Sequence, residues 1–382
     1  MIGYQVGKDI FFNKHLALYN LMIKGSIVEP ENIKFIAFDE TYDKINWLVE
    51  PTQSFEELMT AHALDLRNRY ERIILSWSGG TDSHTIYNIF KKNNIHIDEI
   101  IIKTADERLV AHQPKYHANW MRKNHYDSST IITEYDQYDE NLIKLDRPNE
   151  EWIWKNSGDI HHSGANTGGE HTLHLVEKNH SGKKYIHIGG YEKPHVFYKD
   201  KTWWTCFKDM GLYQIAGTKV NYDYFYLNPL IHLKQSHLLK NFCKILLKQQ
   251  NLNIEKIQTI SDKEIFQPYD SKINYKKWAL SLGRDEELTE GISQLQKNNH
   301  HRMISIDLLD KNYKDIIHLG DPAFNIRSNN DNKTTSIFSK GLFNLYSEKK
   351  FLFFLMKNKW IKSIGKILDL KIIYSKAYNL GP

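Results

Sequence analysis

The hydrophobic positions of the chain change period several times, and each change marks an element. "SFEELMTAHALDLRNRY" opens with Ser54 and Glu57 at the spacing of a capping box. Phe55, Met59, Ala63, Leu66 and Tyr70 then recur at helical spacing, which predicts a long helix. The apolar run 73–75 predicts a buried strand. A glycine-containing loop follows, and 85–93 reads as a helix with Ile86, Ile89 and Phe90 on one face. "IDEIIIKT" (97–104) and "SSTIITEY" predict a second and a third strand, with "PKYHANWMRKNH" helical between them. After the polar stretch "WKNSGDIHHSGANTGGEHTLH" come a further helix and a strand in "KYIHIGGYEKP". Apolar strands alternating with helices predict an α/β fold, an open and mostly parallel sheet with helices on both faces.

The two ends read differently. Residues 1–53, with short runs such as "IKFIAF" and "INWLV", form a small β-containing lead-in. From about Pro229 the pattern turns helical. "QSHLLKNFCKILLKQQ" places Leu238, Leu239, Phe242, Ile245 and Leu246 on one helical face, and "RSNNDNKTTS" reads as a polar loop. The division expected from this is a lead-in over 1–53, an α/β domain over 54–230 and a helical C-terminal domain over 231–382. A chain of 382 residues has room for two to three domains.

Composition narrows the class. Hydrophobic residues make up 41% and charged residues 25%, enough to bury a sizeable core, and the 13% of aromatics are read as core material. The two cysteines, Cys206 and Cys243, cannot build a disulfide framework or an iron–sulfur ligand set. "MIGYQVGKDIFFNKH" has no continuous apolar stretch of the secretory type, and no apolar run reaches spanning length. A cytoplasmic setting and no membrane partner are expected. The net charge is +5, with much of the excess lysine in "KNKWIKSIGKILDLKIIYSKAY". This reads as a solvated helix face, with a weak attraction for RNA as the sharper alternative.

The stretch "RIILSWSGGTDSHTIYNIF" carries the chemistry. A strand that enters a glycine loop and leaves through a helix points backbone N–H groups at the loop, which suits an anion. Gly79 and Gly80 permit close approach of a phosphate, and Ser78, Thr81 and Ser83 add hydroxyl donors. Asp82 would repel phosphate unless Mg²⁺ lay between them, and Mg²⁺ favours one or two carboxylates plus phosphate oxygens. The loop has no lysine and no GxxxxGK[ST] spacing, so it is not of the Walker type.

"SGGTDS", residues 78–83, resembles the SGGxDS signature of the PP-loop superfamily, the N-type ATP pyrophosphatases. The resemblance covers roughly residues 55–230. It implies a Rossmann-like sheet and cleavage of ATP between its α and β phosphates, with adenylation of a carboxylate or carbonyl oxygen. It also implies that Ser78, Gly79, Gly80, Thr81, Asp82 and Ser83 bind the pyrophosphate part of ATP, with Asp82 on Mg²⁺. Adenosine would cross the strand ends at Leu75 and Ser76, Ile102 and Lys103, and Gly189 and Gly190. Within the superfamily the chain is most similar to the synthetase half of asparagine synthetases and to the asparagine-synthetase-like proteins of some phages. That similarity implies amide formation from a small acidic substrate and ammonia or an amine.

Two departures from that pattern bear on function. Residue 2 is Ile2 rather than a nucleophilic cysteine, and about 50 residues cannot hold a glutaminase domain, so ammonia would arrive free or from a separate amidotransferase. The acidic glycine-rich motif of the family is replaced by "IGGYEKPHVFY". There Glu192 is a candidate second Mg²⁺ ligand, Lys193 a candidate for neutralising charge on the α-phosphate, and Pro194 a turn former. An ordinary surface turn is the bland alternative. His161, His162, His171 and His174 form a polar loop that could face substrate, and His171 and His174 have the i, i+3 spacing of metal ligands but no compact partner set. Lys234, Lys272 and Arg284 are further candidates for gripping an acid. A PP-loop RNA-modifying enzyme and a nucleotide-binding regulator without turnover stay open as alternatives.

Overall fold

The structure is a computed structural model. It describes residues 2–11, 14–25, 32–77, 81–104, 121–123, 125–136, 176, 179–190, 194–207, 209, 221–249, 354, 357–358 and 373–382. Its centre is a five-stranded, all-parallel sheet built from β4 (Arg72–Ser76), β5 (Glu99–Thr104), β6 (Ile131–Asp136), β7 (Tyr185–Gly189) and β10 (Tyr222–Tyr224), in the order β10-β7-β4-β5-β6. The protein is therefore an α/β protein, as the alternation of strand and helix patterns predicts.

The two faces of this sheet differ. Ile73, Leu75, Ile100, Ile102, Ile186 and Ile188 point to one face. They pack there with α3 (Phe55–Arg69), with α4 (Thr81–Lys92) and with Met121 of the helical turn on the way to β6. Each such isoleucine or leucine, once fully buried, contributes about 1.5–3 kcal/mol. The opposite face carries buried polar groups. Glu99 accepts a hydrogen bond from Thr133 and lies 2.6 Å from Nε2 of His180, which belongs to the helical residues covering that face.

Local signals explain the helices. Ser54 caps α3: its Oγ accepts from the Glu57 N–H at 3.2 Å, and the Glu57 carboxylate accepts from the Ser54 N–H at 2.7 Å. The chain after β4 becomes helical at Thr81 rather than at 85. Thr81, Asp82 and Ser83 read as loop by polarity, yet short polar side chains and an acid suit a helix start.

Two further sheets flank the centre. The lead-in folds as β1 (Ile2–Val6), β2 (Asp9–Phe11) and β3 (Lys34–Ala37), antiparallel in the order β2-β1-β3, with α1 (Lys14–Ile23) against them and α2 (Asp39–Tyr42) following. The third sheet, β11-β9-β8, joins β8 (His195–Lys199), β9 (Thr202–Cys206) and β11 (Tyr378–Gly381). The β8–β9 hairpin turns on Asp200 and Lys201, with φ of 51° and 60°. Two positive φ values define the tight hairpin turn that Asn-Gly usually signals, and Asp-Lys conceals it.

The helix predicted from "QSHLLKNFCKILLKQQ" is α5 (Pro229–Gln249). It departs from the expected one-face pattern: Ile245 is exposed, while His232, Gln235, Ser236, His237 and Lys240 are buried with Ile231, Leu233 and Leu239. Ile231 belongs to the core of the central sheet, and Ser236 Oγ lies 3.0 Å from Thr205 Oγ1 of β9. The expected helical domain over 231–382 thus shows α5 and a terminal strand among the described residues, and 251–350 lie outside them. An aromatic cluster joins the three sheets. Tyr42 lies 5.0 Å from Phe207 and 6.0 Å from Tyr378, and Trp47 stacks on Tyr378 at 4.7 Å.

Candidate functional site

The strand order creates a crevice. From β4 the chain moves through α4 to β5 and on to β6, outward along one edge. It then returns to place β7 on the other side of β4, with Arg72, Ile73, Ile74 and Leu75 opposite Tyr185, Ile186, His187 and Ile188. Connections leave β4 and β7 in opposite directions, so the carboxyl edge between them is a topological switch point, where open α/β sheets bind ligands.

The described residues that flank both motifs singled out in the sequence sit on this edge. Leu75 and Ser76 end β4, and Gly189 ends β7 with Gly190 next. Residues 78–80 lie outside the described set, and the chain resumes at Thr81 and Asp82 as the first turn of α4, followed by the buried Ser83. Ile102 and Lys103 stand near the carboxyl end of β5, beyond Ile101, which pairs with Ser76. The backbone therefore gathers Leu75, Ser76, Thr81, Asp82, Ser83, Lys103, Gly189 and Gly190 at one end of the sheet. Glu192 and Lys193 lie outside the described residues, between Gly190 and the buried Pro194 that leads into β8. So do His161, His162, His171, His174, Lys272 and Arg284.

The base of the loop is firmly held. Trp77 is 1% exposed, and its N–H donates to the Ile101 carbonyl at 2.9 Å, extending the β4–β5 pairing by one residue. Its ring packs 6.0 Å from His84 of α4. Burial, reinforced by Lys91, pushes the His84 imidazole down to about 4, so this side chain is neutral near pH 7. On the other face, Ser76 Oγ and His187 Nε2 lie 2.7 Å apart, and the His187 ring meets Tyr222 of β10 edge-on at 4.9 Å.

The opposite edge of the sheet is tied by charge. Asp98 accepts from Arg67 at 2.6 Å, from Arg72 at 2.9 Å and from the Ile73 N–H at 2.8 Å. Burial pushes its carboxyl up, but these donors outweigh it and hold the group below the usual range. Asp127 accepts from Ser129 and meets His96 at 2.6 Å, which also holds it low.

Lys234 is not available to grip an acid: its Nζ lies 2.7 Å from Glu50 and 3.0 Å from the Pro51 carbonyl. Cys206 and Cys243 are buried. Among the described residues no group of three acidic, histidine or cysteine side chains could hold a metal, and no helix is long and apolar enough to cross a membrane. A depression lined by Gln5, Lys24, Asn32 and Lys34 lies in the lead-in sheet, away from the crevice. Sequence reading passed over His187. The available signal was a histidine inside the strand "YIHIG", two residues from a glycine and so on the same face. No family model and no curated protein sequence matches the chain.

Proposed function

We propose that the protein is an ATP-dependent, AMP- and pyrophosphate-forming ligase that adenylates a small carboxylate for amide formation, in the manner of an asparagine-synthetase-like enzyme. One observation carries this reading: the stretch "SGGTDS" leaves the carboxyl end of β4 at the switch point, next to β7, whose own end leads into "GGYEKP". A lysine-free glycine loop at that position suits a pyrophosphate held by backbone N–H groups, and the neutral Ser76 region beside it suits a nucleoside.

In this reading Ser78, Gly79, Gly80, Thr81 and Ser83 bind the β and γ phosphates. Asp82 and Glu192 would hold Mg²⁺, which supplies charge neutralisation when bound. The acid's carboxylate oxygen attacks the α-phosphorus, and the bond to the bridging oxygen breaks to release pyrophosphate. Ammonia or an amine then attacks the acyl carbon, and AMP departs with its charge balanced by Lys193.

Incubation with ATP, Mg²⁺, ammonia and a panel of acids tests the proposal. AMP and pyrophosphate are the expected products, with the adenylated or amidated acid identified by mass. ADP and phosphate as main products would overturn it. Release stimulated by tRNA and indifferent to acids would move the assignment to RNA modification, and nucleotide binding without turnover would move it to a regulator.

A further inference from the structure

Ser76 and His187 lie on neighbouring strands, with Ser76 Oγ 2.7 Å from His187 Nε2. The pair sits on the face opposite α3 and α4, at the β4–β7 seam. His187 is 1% exposed, while Ser76 is half-buried at the rim. By register His187 stands opposite Ile74, so its imidazole reaches one step toward the carboxyl edge to meet Ser76. The next residue of β7 on this face is Gly189, which has no side chain to cover that step. Tyr222 closes the far flank of the imidazole. At the level of Ser76 the neighbours across the sheet are Tyr224, Gly189 and Ile101, none with a fixed charge.

A serine hydroxyl offers one donor and two acceptor positions, and His187 occupies one of them. A hydroxyl held this way has lost its rotational freedom before any ligand arrives, so a ligand bond to it costs less ordering. We propose that His187 is a positioning residue that locks the Ser76 hydroxyl to hydrogen-bond a neutral polar group of an adenine nucleotide, a ribose hydroxyl or a base edge, at the switch point. This rests on the nucleotide-binding reading above. In that reading the phosphates belong to residues 78–83, and the seam, with no fixed charge at the level of Ser76, is matched to the nucleoside.

Calorimetric titration of the full chain with ATP, adenosine and inorganic pyrophosphate tests it, using wild type, Ser76→Ala, His187→Leu, His187→Gln and the Ser76→Ala/His187→Leu double variant. Thermal midpoints without ligand report folding. Loss of one preorganised hydrogen bond predicts about tenfold weaker ATP and adenosine binding for Ser76→Ala and for His187→Leu. The double variant should be no weaker than either single, because both remove one interaction. His187→Gln should recover most of the affinity, and pyrophosphate binding should be unchanged throughout. Equal ATP affinity in wild type and His187→Leu, additive losses, or a matching loss of pyrophosphate binding would overturn the inference. Should His187→Leu not fold, Ser76→Ala and His187→Gln still decide: unchanged adenosine binding in Ser76→Ala overturns it. A wild type that binds no ATP overturns the nucleotide reading itself, and this inference with it.

Discussion

Lys14 of α1 and Asp209 beyond β9 form an ion pair at 2.7 Å with neither side chain exposed. Asp209 Oδ2 also accepts from the Tyr4 hydroxyl at 3.1 Å, and Oδ1 accepts from the Ile373 N–H at 3.2 Å. One carboxylate therefore ties the lead-in sheet, the end of the β8–β9 hairpin and the C-terminal tail together.

Removing one member of this pair leaves the other charge buried. Asp209→Ala is expected to cost about 3–5 kcal/mol, and the apolar double substitution Lys14→Met/Asp209→Leu to recover much of that. Urea unfolding measures both. A loss below about 1 kcal/mol for Asp209→Ala would mean that the pair is solvated in solution.

Acid should destabilise the protein in two windows. Burial pushes His232 down to about 3 and His84 down to about 4. The unfolded chain takes up these protons below about pH 6.5, while the folded chain resists them. Their contribution is fully present above about pH 6.5 and falls as pH drops toward 4 for His84 and toward 3 for His232. Asp98 and Asp127 are held below the ordinary carboxylate value, so their contribution persists above about pH 4 and is lost further down. His232→Phe should flatten the stability profile between about pH 6.5 and 3 and leave the carboxylate contribution below about pH 4 in place. An unchanged slope in equilibrium unfolding across that interval would contradict a neutral, buried His232.

The C-terminal strand is held by side chains from far along the chain. Tyr378 stacks on Trp47 with an interplanar angle of 22°, and Lys240 Nζ donates to the Leu380 carbonyl at 2.7 Å. Tyr378→Ala is expected to cost about 3–5 kcal/mol, as for other large-to-small core changes. Limited proteolysis should then cut the tail before the central sheet is lost. Simultaneous loss of both would show that the tail and the sheet unfold as one unit.

Within the proposed ligase, a lysine at 193 acts on charge that grows as AMP leaves. Lys193→Ala should therefore lower kcat by about 100-fold or more while ATP affinity changes little. Asp82→Ala should remove Mg²⁺-dependent turnover without loss of fold. Single-turnover kinetics beside equilibrium ATP binding separate these effects. A loss confined to ATP affinity would remove Lys193 from the chemistry.

The sequence by itself determined four strands of the central sheet, β4, β5, β6 and β7, but not β10. Apolar runs such as Ile73, Ile74 and Leu75, and the Ser54–Glu57 box, act through neighbours in the chain, so local pattern suffices to read them. It also marked residues 78–83, because glycine, hydroxyl and carboxylate groups crowd together there in the chain. Tertiary structure decided what stands beside what. That β7 returns to pair with β4, bringing His187 to Ser76, depends on a crossover between distant segments that no local period encodes. The same holds for α5, where the polar His232, Gln235 and Lys240 are buried outside the apolar stripe that the sequence predicts. They are covered only because β9, the lead-in and the tail close over that helix. β11 escaped notice for the same reason: "YNLG" has little strand character of its own, and becomes a strand by pairing with an edge that the chain builds far upstream.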